Sequence, residues 1–139
     1  MGDRVVLFLC VENACRSLMA EAMFNRAPPT GWRAESAGTL PARGPNPRVA
    51  PMLREIGLTA PAHAPRAVTP EMLSNAGLRV TMGCLDDASC PARLHTLPVE
   101  DWALPDPARA SDEEFRRIRD EIGVRVTQLA RSLAARGDG

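Results

Sequence analysis

The sequence predicts an α/β fold: a small parallel β-sheet with helices on both faces. Three observations carry that expectation. Val5-Val6-Leu7-Phe8-Leu9 is a continuous apolar run rich in β-formers, the pattern of a strand buried on both sides. Further strand-like runs alternate with segments that carry helix start and stop signals. The 139 residues suit one domain, 1–139, long enough to bury a core without disulfide staples or a structural metal.

Each element follows from local signals. After the first run and a polar loop, residues 18–24 read as helix, with Met19, Met23 and several alanines available for packing, and Pro28-Pro29 ends it. Residues 32–37 form a second strand closed by Gly38. Asn46-Pro47 supplies an N-cap and a first-turn proline for a helix that carries Val49, Met52, Leu53 and Ile56, with Gly57 just past its end. Thr69-Pro70 opens a helix over 71–76, stopped by Gly77, and 78–82 is a short apolar strand. Ser111-Asp112-Glu113-Glu114 fits a capping box with Ser111 as N-cap and Glu114 at N3. The helix behind it buries Phe115, Ile118, Ile122, Leu129 and Leu133. Residues 41–51, 61–70 and 97–107 are proline-rich and read as loops.

Composition narrows the function. Seventeen cations, all Arg, balance 17 acids, which argues against holding nucleic acid by bulk charge. Tyr is absent, so no mechanism can use a phenol. No segment reaches the ~18 apolar residues of a membrane span, and the first apolar run is too short for a signal-peptide core. The expectation is a cytoplasmic protein with neither a membrane nor a nucleic-acid partner. Four Cys are too sparse for a secreted disulfide scaffold.

Their positions matter more. Cys10-Val11-Glu12-Asn13-Ala14-Cys15-Arg16-Ser17 joins the first strand to the first helix, and five residues separate Cys10 from Arg16. The crevice beyond the carboxyl end of a strand is where open α/β sheets bind ligands. A loop there can aim the backbone N–H groups of Val11, Glu12, Asn13, Ala14, Cys15 and Arg16 at one oxyanion, helped by the helix N-terminus. The same groups would favour a thiolate at Cys10. Arg16 offers a planar fork for two oxygens of a tetrahedral anion. Ser17 can donate to the thiolate or cap the helix, and Asn13 tolerates a left-handed turn. The plainer reading is a buried Cys followed by a capping Ser.

This segment resembles the active-site loop of low-molecular-weight protein tyrosine phosphatases and of the arsenate reductases built on that fold. The likeness continues through Met19-Ala20-Glu21-Ala22, Glu35-Ser36-Ala37-Gly38-Thr39, Gly44-Pro45-Asn46-Pro47-Arg48, Val80-Thr81-Met82-Gly83-Cys84, Cys90-Pro91, Glu100-Asp101-Trp102 and Asp106-Pro107-Ala108, which look like the reductase branch. It implies a phosphate-binding loop after the first strand and makes Asp106 the general acid, against a plain turn residue before proline. There are departures. Glu12 puts a carboxylate beside an oxyanion pocket, Ala14 lacks a hydroxyl that some relatives carry, and Leu18 stands where Gln is frequent. Some relatives hold potassium near residues matching Asn13, Glu21 and Ser36, completed by an acid after the second helix. Here that stretch reads His63-Ala64-Pro65-Arg66, so no metal is expected, and Arg66 is a candidate replacement for the cation.

The resemblance also implies an electron relay. Cys10 attacks arsenate with its oxygens held by Arg16 and the loop. Cys84 then attacks Cys10 and arsenite leaves. Cys90 resolves the disulfide, which thioredoxin or another thiol donor reduces, with no tightly bound cofactor. Alternatives stay open: Cys84 and Cys90 as unreactive core thiols, a zinc site, and for Cys15 either packing or a protective disulfide with Cys10. The rival activity is aryl phosphate hydrolysis through a Cys10 phosphoenzyme; a third reading is an anion sensor without catalysis. The C-x5-C pair and the absence of Tyr beside the acid favour arsenate reduction. His63 and His95 read as surface or packing residues, Trp102 as packing for the acid loop, and Asp86 and Asp101 as weaker acid candidates.

Overall fold

A computed structural model describes residues 3–83 and 99–136. Within them lie four parallel strands: β1 (Arg4–Cys10), β2 (Trp32–Gly38), β3 (Leu78–Thr81) and β4 (Glu100–Asp101), in the order β2-β1-β3-β4. The helices among the described residues are α1 (Arg16–Arg26), α2 (Val49–Arg54), α3 (Pro70–Asn75) and α4 (Asp112–Arg136), with a 3-10 turn at Pro107–Arg109.

The apolar run of β1 explains the layering. Val6, Phe8 and Cys10 face one side and pack with Leu18, Phe24, Met52, Phe115 and Ile122 from α1, α2 and α4. Leu7 and Leu9 face the other side against Ala37 and Leu73. Strand alternation therefore buries both faces of the central strand, as its sequence required. Because the chain leaves β1 for β2 on one side and takes up β3 on the other, the strand order reverses at β1. The loop after β1 sits at that switch point.

Most local signals are met. Thr69 Oγ1 accepts the Met72 N–H at 3.1 Å, and Pro70 occupies the first turn of α3. Gly57 takes a left-handed φ of 78° just past α2. Three expectations need correction. Asn46 is not an N-cap: its Oδ1 accepts the Arg48 N–H at 2.9 Å in a tight turn, and the helix begins at Val49. Only half of the capping box forms, since Ser111 Oγ accepts the Glu114 N–H at 3.1 Å while the Glu114 carboxylate pairs with Arg117 at 2.9 Å. Residues 97–107 are not all loop, because Glu100–Asp101 adds the edge strand β4. Two residues are too few to leave a periodic signal; their pairing with β3 decides the matter.

Candidate active site

The loop after β1 is shaped by where its carbonyls go. The carbonyls of Cys10, Val11, Glu12 and Ala14 accept the N–H groups of Thr39, Leu40, Ala42 and Asn46 at 3.2, 2.8, 2.9 and 2.8 Å. In a trans peptide the following N–H points opposite to the carbonyl. Turning these carbonyls outward therefore turns the N–H groups of Val11, Glu12, Asn13 and Cys15 inward. The Asn13 N–H meets Cys10 Sγ at 3.2 Å. Gly38 makes the close approach possible: a Cβ there would lie 2.5 Å from the Val11 carbonyl oxygen and 2.9 Å from Asn13 N.

Asn13 adopts the left-handed φ of 51° expected of it and is fully buried. Its Nδ2 donates to Ser17 Oγ at 2.8 Å and to Ser36 Oγ at 3.0 Å. Ser17 does not cap α1, whose N-terminus has no side-chain cap; its hydroxyl lies 2.9 Å from Cys10 Sγ. The Asn13 N–H donates to the sulfur, and the Ser17 hydroxyl, which accepts from Asn13 Nδ2, is free to turn its own proton towards a thiolate there, an arrangement that stabilises that form. Cys15, five residues on, is the opposite case. Burial, and then the charge of Asp106, push its thiol up to about 12, with Arg16 working against them. It stays protonated at neutral pH.

Arg16 is buried and already engaged. Its Nη1 donates to the carbonyls of Leu104 at 2.6 Å and Met82 at 3.1 Å, and its Nη2 lies 4.0 Å from Asp106 Oδ2. One nitrogen fixes the segment that carries the acid, and the other lies towards the acid itself. Asp106 takes the turn position expected of an Asp before proline. Oδ1 accepts the Ala108 N–H at 3.0 Å and caps the 3-10 turn, while the side chain stays 64% exposed. A cavity of about 450 Å³ joins Cys10, Glu12, Ala14, Cys15, Arg16 and Asp106. Val11 lines it too, and Glu12 stands exposed in its wall.

Cys84 and Cys90 lie outside the described residues, as do Asp86 and His95. Asp101 accepts from Thr81 Oγ1 at 3.0 Å and from the Ala103 N–H at 3.2 Å, which makes it a brace for the turn after β4. Trp102 is buried with its ring 5.6 Å from that of Phe8, seating the acid segment as expected. Two residues gain roles that sequence reasoning did not assign. Arg48 Nη1 donates to the Ala110 carbonyl at 2.6 Å, and its Nη2 to those of Pro107 at 2.9 Å and Ala108 at 3.0 Å. His63, read as a surface or packing residue, has its Nε2 2.8 Å from Glu21 Oε1. No local pattern signals either contact, because the partners lie about 40 to 60 residues away in sequence.

A cysteine within an amide-lined loop at the switch point of a parallel sheet, faced by an arginine and a carboxylic acid, defines a thiol-based oxyanion enzyme fold. Residues 5–138 match the low molecular weight phosphotyrosine protein phosphatase family, and the chain belongs to it. Within that family it is similar to arsenate reductases. The Bacillus subtilis (strain 168) arsenate reductase is 36% identical over 137 residues, covering 94% of this chain and 97% of that one. The arsenate reductase structure from Archaeoglobus fulgidus aligns with a TM-score of 0.72 at 36% identity, over 90% of this chain and 98% of that one. The thioredoxin-dependent arsenate reductase of Corynebacterium glutamicum aligns at 0.77 and 30% identity over 95% of this chain, which spans 62% of that longer one.

Proposed function

We propose that this chain reduces arsenate to arsenite in the cytoplasm, with thiols as the source of electrons. The observation that carries the reading is the convergence of Asn13 N–H and Ser17 Oγ on Cys10 Sγ, in a loop whose relatives are arsenate reductases. Cys10 thiolate forms a bond to As(V), and an oxygen leaves as water with a proton from Asp106. Arg16 and the inward N–H groups hold the remaining oxygens. Cys84 thiolate then attacks Cys10 Sγ. The electron pair of the As–S bond stays on arsenic, arsenite departs, and a Cys10–Cys84 disulfide remains. Cys90 attacks Cys84 and frees Cys10. The dithiol of thioredoxin reduces the Cys84–Cys90 disulfide, supplying the two electrons of the cycle.

Hydrolysis of an aryl phosphate is the second reading, favoured by the family itself and by a first step that uses the same Cys10, Arg16 and Asp106. The two part at the Cys84–Cys90 pair, which hydrolysis does not need. Wild type, Cys84→Ser and Cys90→Ser, assayed with arsenate plus thioredoxin, thioredoxin reductase and NADPH, and separately with an aryl phosphate, distinguish them. Both variants are expected to lose arsenate turnover and keep whatever ester hydrolysis the wild type has. Cys10→Ser is expected to lose both. Full arsenate turnover by Cys84→Ser refutes the relay.

A further inference from the structure

Behind the loop, on the side away from the cavity, a buried cluster of oxygens braces Asn13. Glu21 is buried, and its Oε1 accepts the Ser36 hydroxyl at 2.5 Å and faces His63 Nε2 at 2.8 Å. His63 Nδ1 faces the Ala64 carbonyl at 2.8 Å. The ring thus stands between the buried carboxylate and the main chain. Arg66 completes the cluster. Its backbone N–H donates to Asn13 Oδ1 at 3.1 Å, and its Nε donates to the Ser36 carbonyl at 2.9 Å. The segment is fixed in place against the end of β2: the Gly38 N–H donates to the Arg66 carbonyl at 2.8 Å, and the Val68 N–H to the Gly38 carbonyl at 2.9 Å.

These residues do not fit a bound monovalent cation. Three oxygens that could ligate one are taken up by the chain: Asn13 Oδ1 by the Arg66 N–H, the Ser36 carbonyl by Arg66 Nε and Glu21 Oε1 by the Ser36 hydroxyl, with His63 Nε2 beside it. The Arg66 guanidinium stands against the Ser36 carbonyl and would repel a second cation there. A buried carboxylate needs polar partners, and the Ser36 hydroxyl and the His63 ring stand against it.

We infer that His63 and Arg66 are positioning residues that do within the chain what a bound metal ion would do at this cluster: they take up its oxygens and hold Asn13 in its left-handed turn. Through Asn13 they act on Cys10, because the Asn13 N–H meets the sulfur and Asn13 Nδ2 orients Ser17. The consequence is an oxyanion loop whose reactivity is independent of potassium, whichever oxyanion the site turns over.

Neither arm of the test requires turnover. The first is thermal unfolding of the wild type in potassium, sodium and choline chloride at equal ionic strength. The expected midpoints coincide; a rise specific to potassium overturns the inference. The second is site-resolved alkylation of Cys10 by iodoacetamide, followed by mass spectrometry of the Cys10 peptide, in wild type, Arg66→Met, Arg66→Lys and His63→Gln. Arg66→Met and His63→Gln are expected to slow alkylation at neutral pH by about tenfold, the effect of one pKa unit of lost thiolate. Arg66→Lys, which keeps the charge, is expected to recover part of the rate. Folded Arg66→Met and His63→Gln proteins that alkylate at the wild-type rate overturn the positioning role, and the cation series decides the matter even if a variant fails to fold.

Discussion

The loop around Cys10 and the segment around Asp106 face each other across one cavity but are held by different means. The loop is held by main chain. Its carbonyls bond to the backbone of residues 39–46, Gly38 lets it settle on β2, and the polar side chains behind it are buried. The acid segment has little backbone of its own to rely on: β4 is two residues long, and the 3-10 turn is three. Two arginines from elsewhere hold it by its carbonyls, Arg16 at Leu104 and Arg48 at Pro107, Ala108 and Ala110. Such charge-assisted bonds are each worth about 1.5–3 kcal/mol. In the proposed reaction, binding is therefore built into the strand–loop–helix unit, whereas placement of the proposed acid, Asp106, depends on long-range side-chain reach.

The comparison breaks most visibly at Gly38. A methyl group there collides with the Val11 carbonyl at 2.5 Å, and backbone cannot yield as a side-chain tip can. Gly38→Ala is expected to cost about 1–3 kcal/mol of stability. By displacing the loop it should lower kcat/KM about a hundredfold. Calorimetric unfolding and steady-state kinetics check both. Oxyanion affinity should fall together with kcat, because the loop is the binding element; intact affinity would mean that the loop does not depend on β2 for its shape.

The complementary break is Arg48→Met, which keeps an apolar stem near the Phe115 ring, where the guanidinium now sits 4.6 Å from the centroid. It releases three carbonyls of the acid segment. General acid catalysis contributes typically 10²–10⁴, and loosening the acid should forfeit about ten- to a hundredfold of kcat. Phosphate binding, measured by calorimetry, should stay within about threefold of wild type, because Arg48 touches no loop carbonyl. An equal loss in kcat and in binding would erase the distinction between the two regions.

The same contrast explains what the sequence made legible. The loop could be read because its signals are local: an apolar strand, a Cys and an Arg five residues apart, a Ser in the first helical turn. Asn13 could be assigned its left-handed turn from residue type alone. What holds the acid segment could not. Arg48 sits in a proline-rich stretch like any surface arginine, and its reach to Pro107 shows only in the fold, where it lies over the Phe115 ring of α4. His63 likewise looked like a surface residue until the chain folded back along β2 and set it on Glu21. Asn46 shows the limit of a local rule: Asn-Pro is a sound helix-start signal, yet the side chain closes a turn before the helix begins.

The smallest expected effect probes the platform beneath Arg48. The far end of α2 is tied to α4 through Glu55, whose carboxylate takes Arg116 Nε and Nη2 at 2.9 Å each and Arg119 Nη1 at 2.7 Å. The hydrogen bonds from Arg116, then from Arg119, hold the Glu55 carboxyl down at about 2, from an ordinary value of 4.5. A depressed carboxylate contributes stability that is fully present above its unfolded pKa and is lost as pH falls through the folded one. The contribution should therefore be complete above pH 4.5 and fade towards pH 2. Glu55 is 40% exposed, so solvent screening keeps it modest. Glu55→Gln should unfold at a slightly lower temperature than wild type at neutral pH, with the difference shrinking as the pH is lowered from 4.5 to 2. Its kcat should change by less than about threefold, because Arg48 keeps its own hold on the acid segment through Ala110 and Asp112. A loss in kcat as large as that of Arg48→Met would mean that the acid is positioned by the whole α2–α4 seam rather than by one arginine.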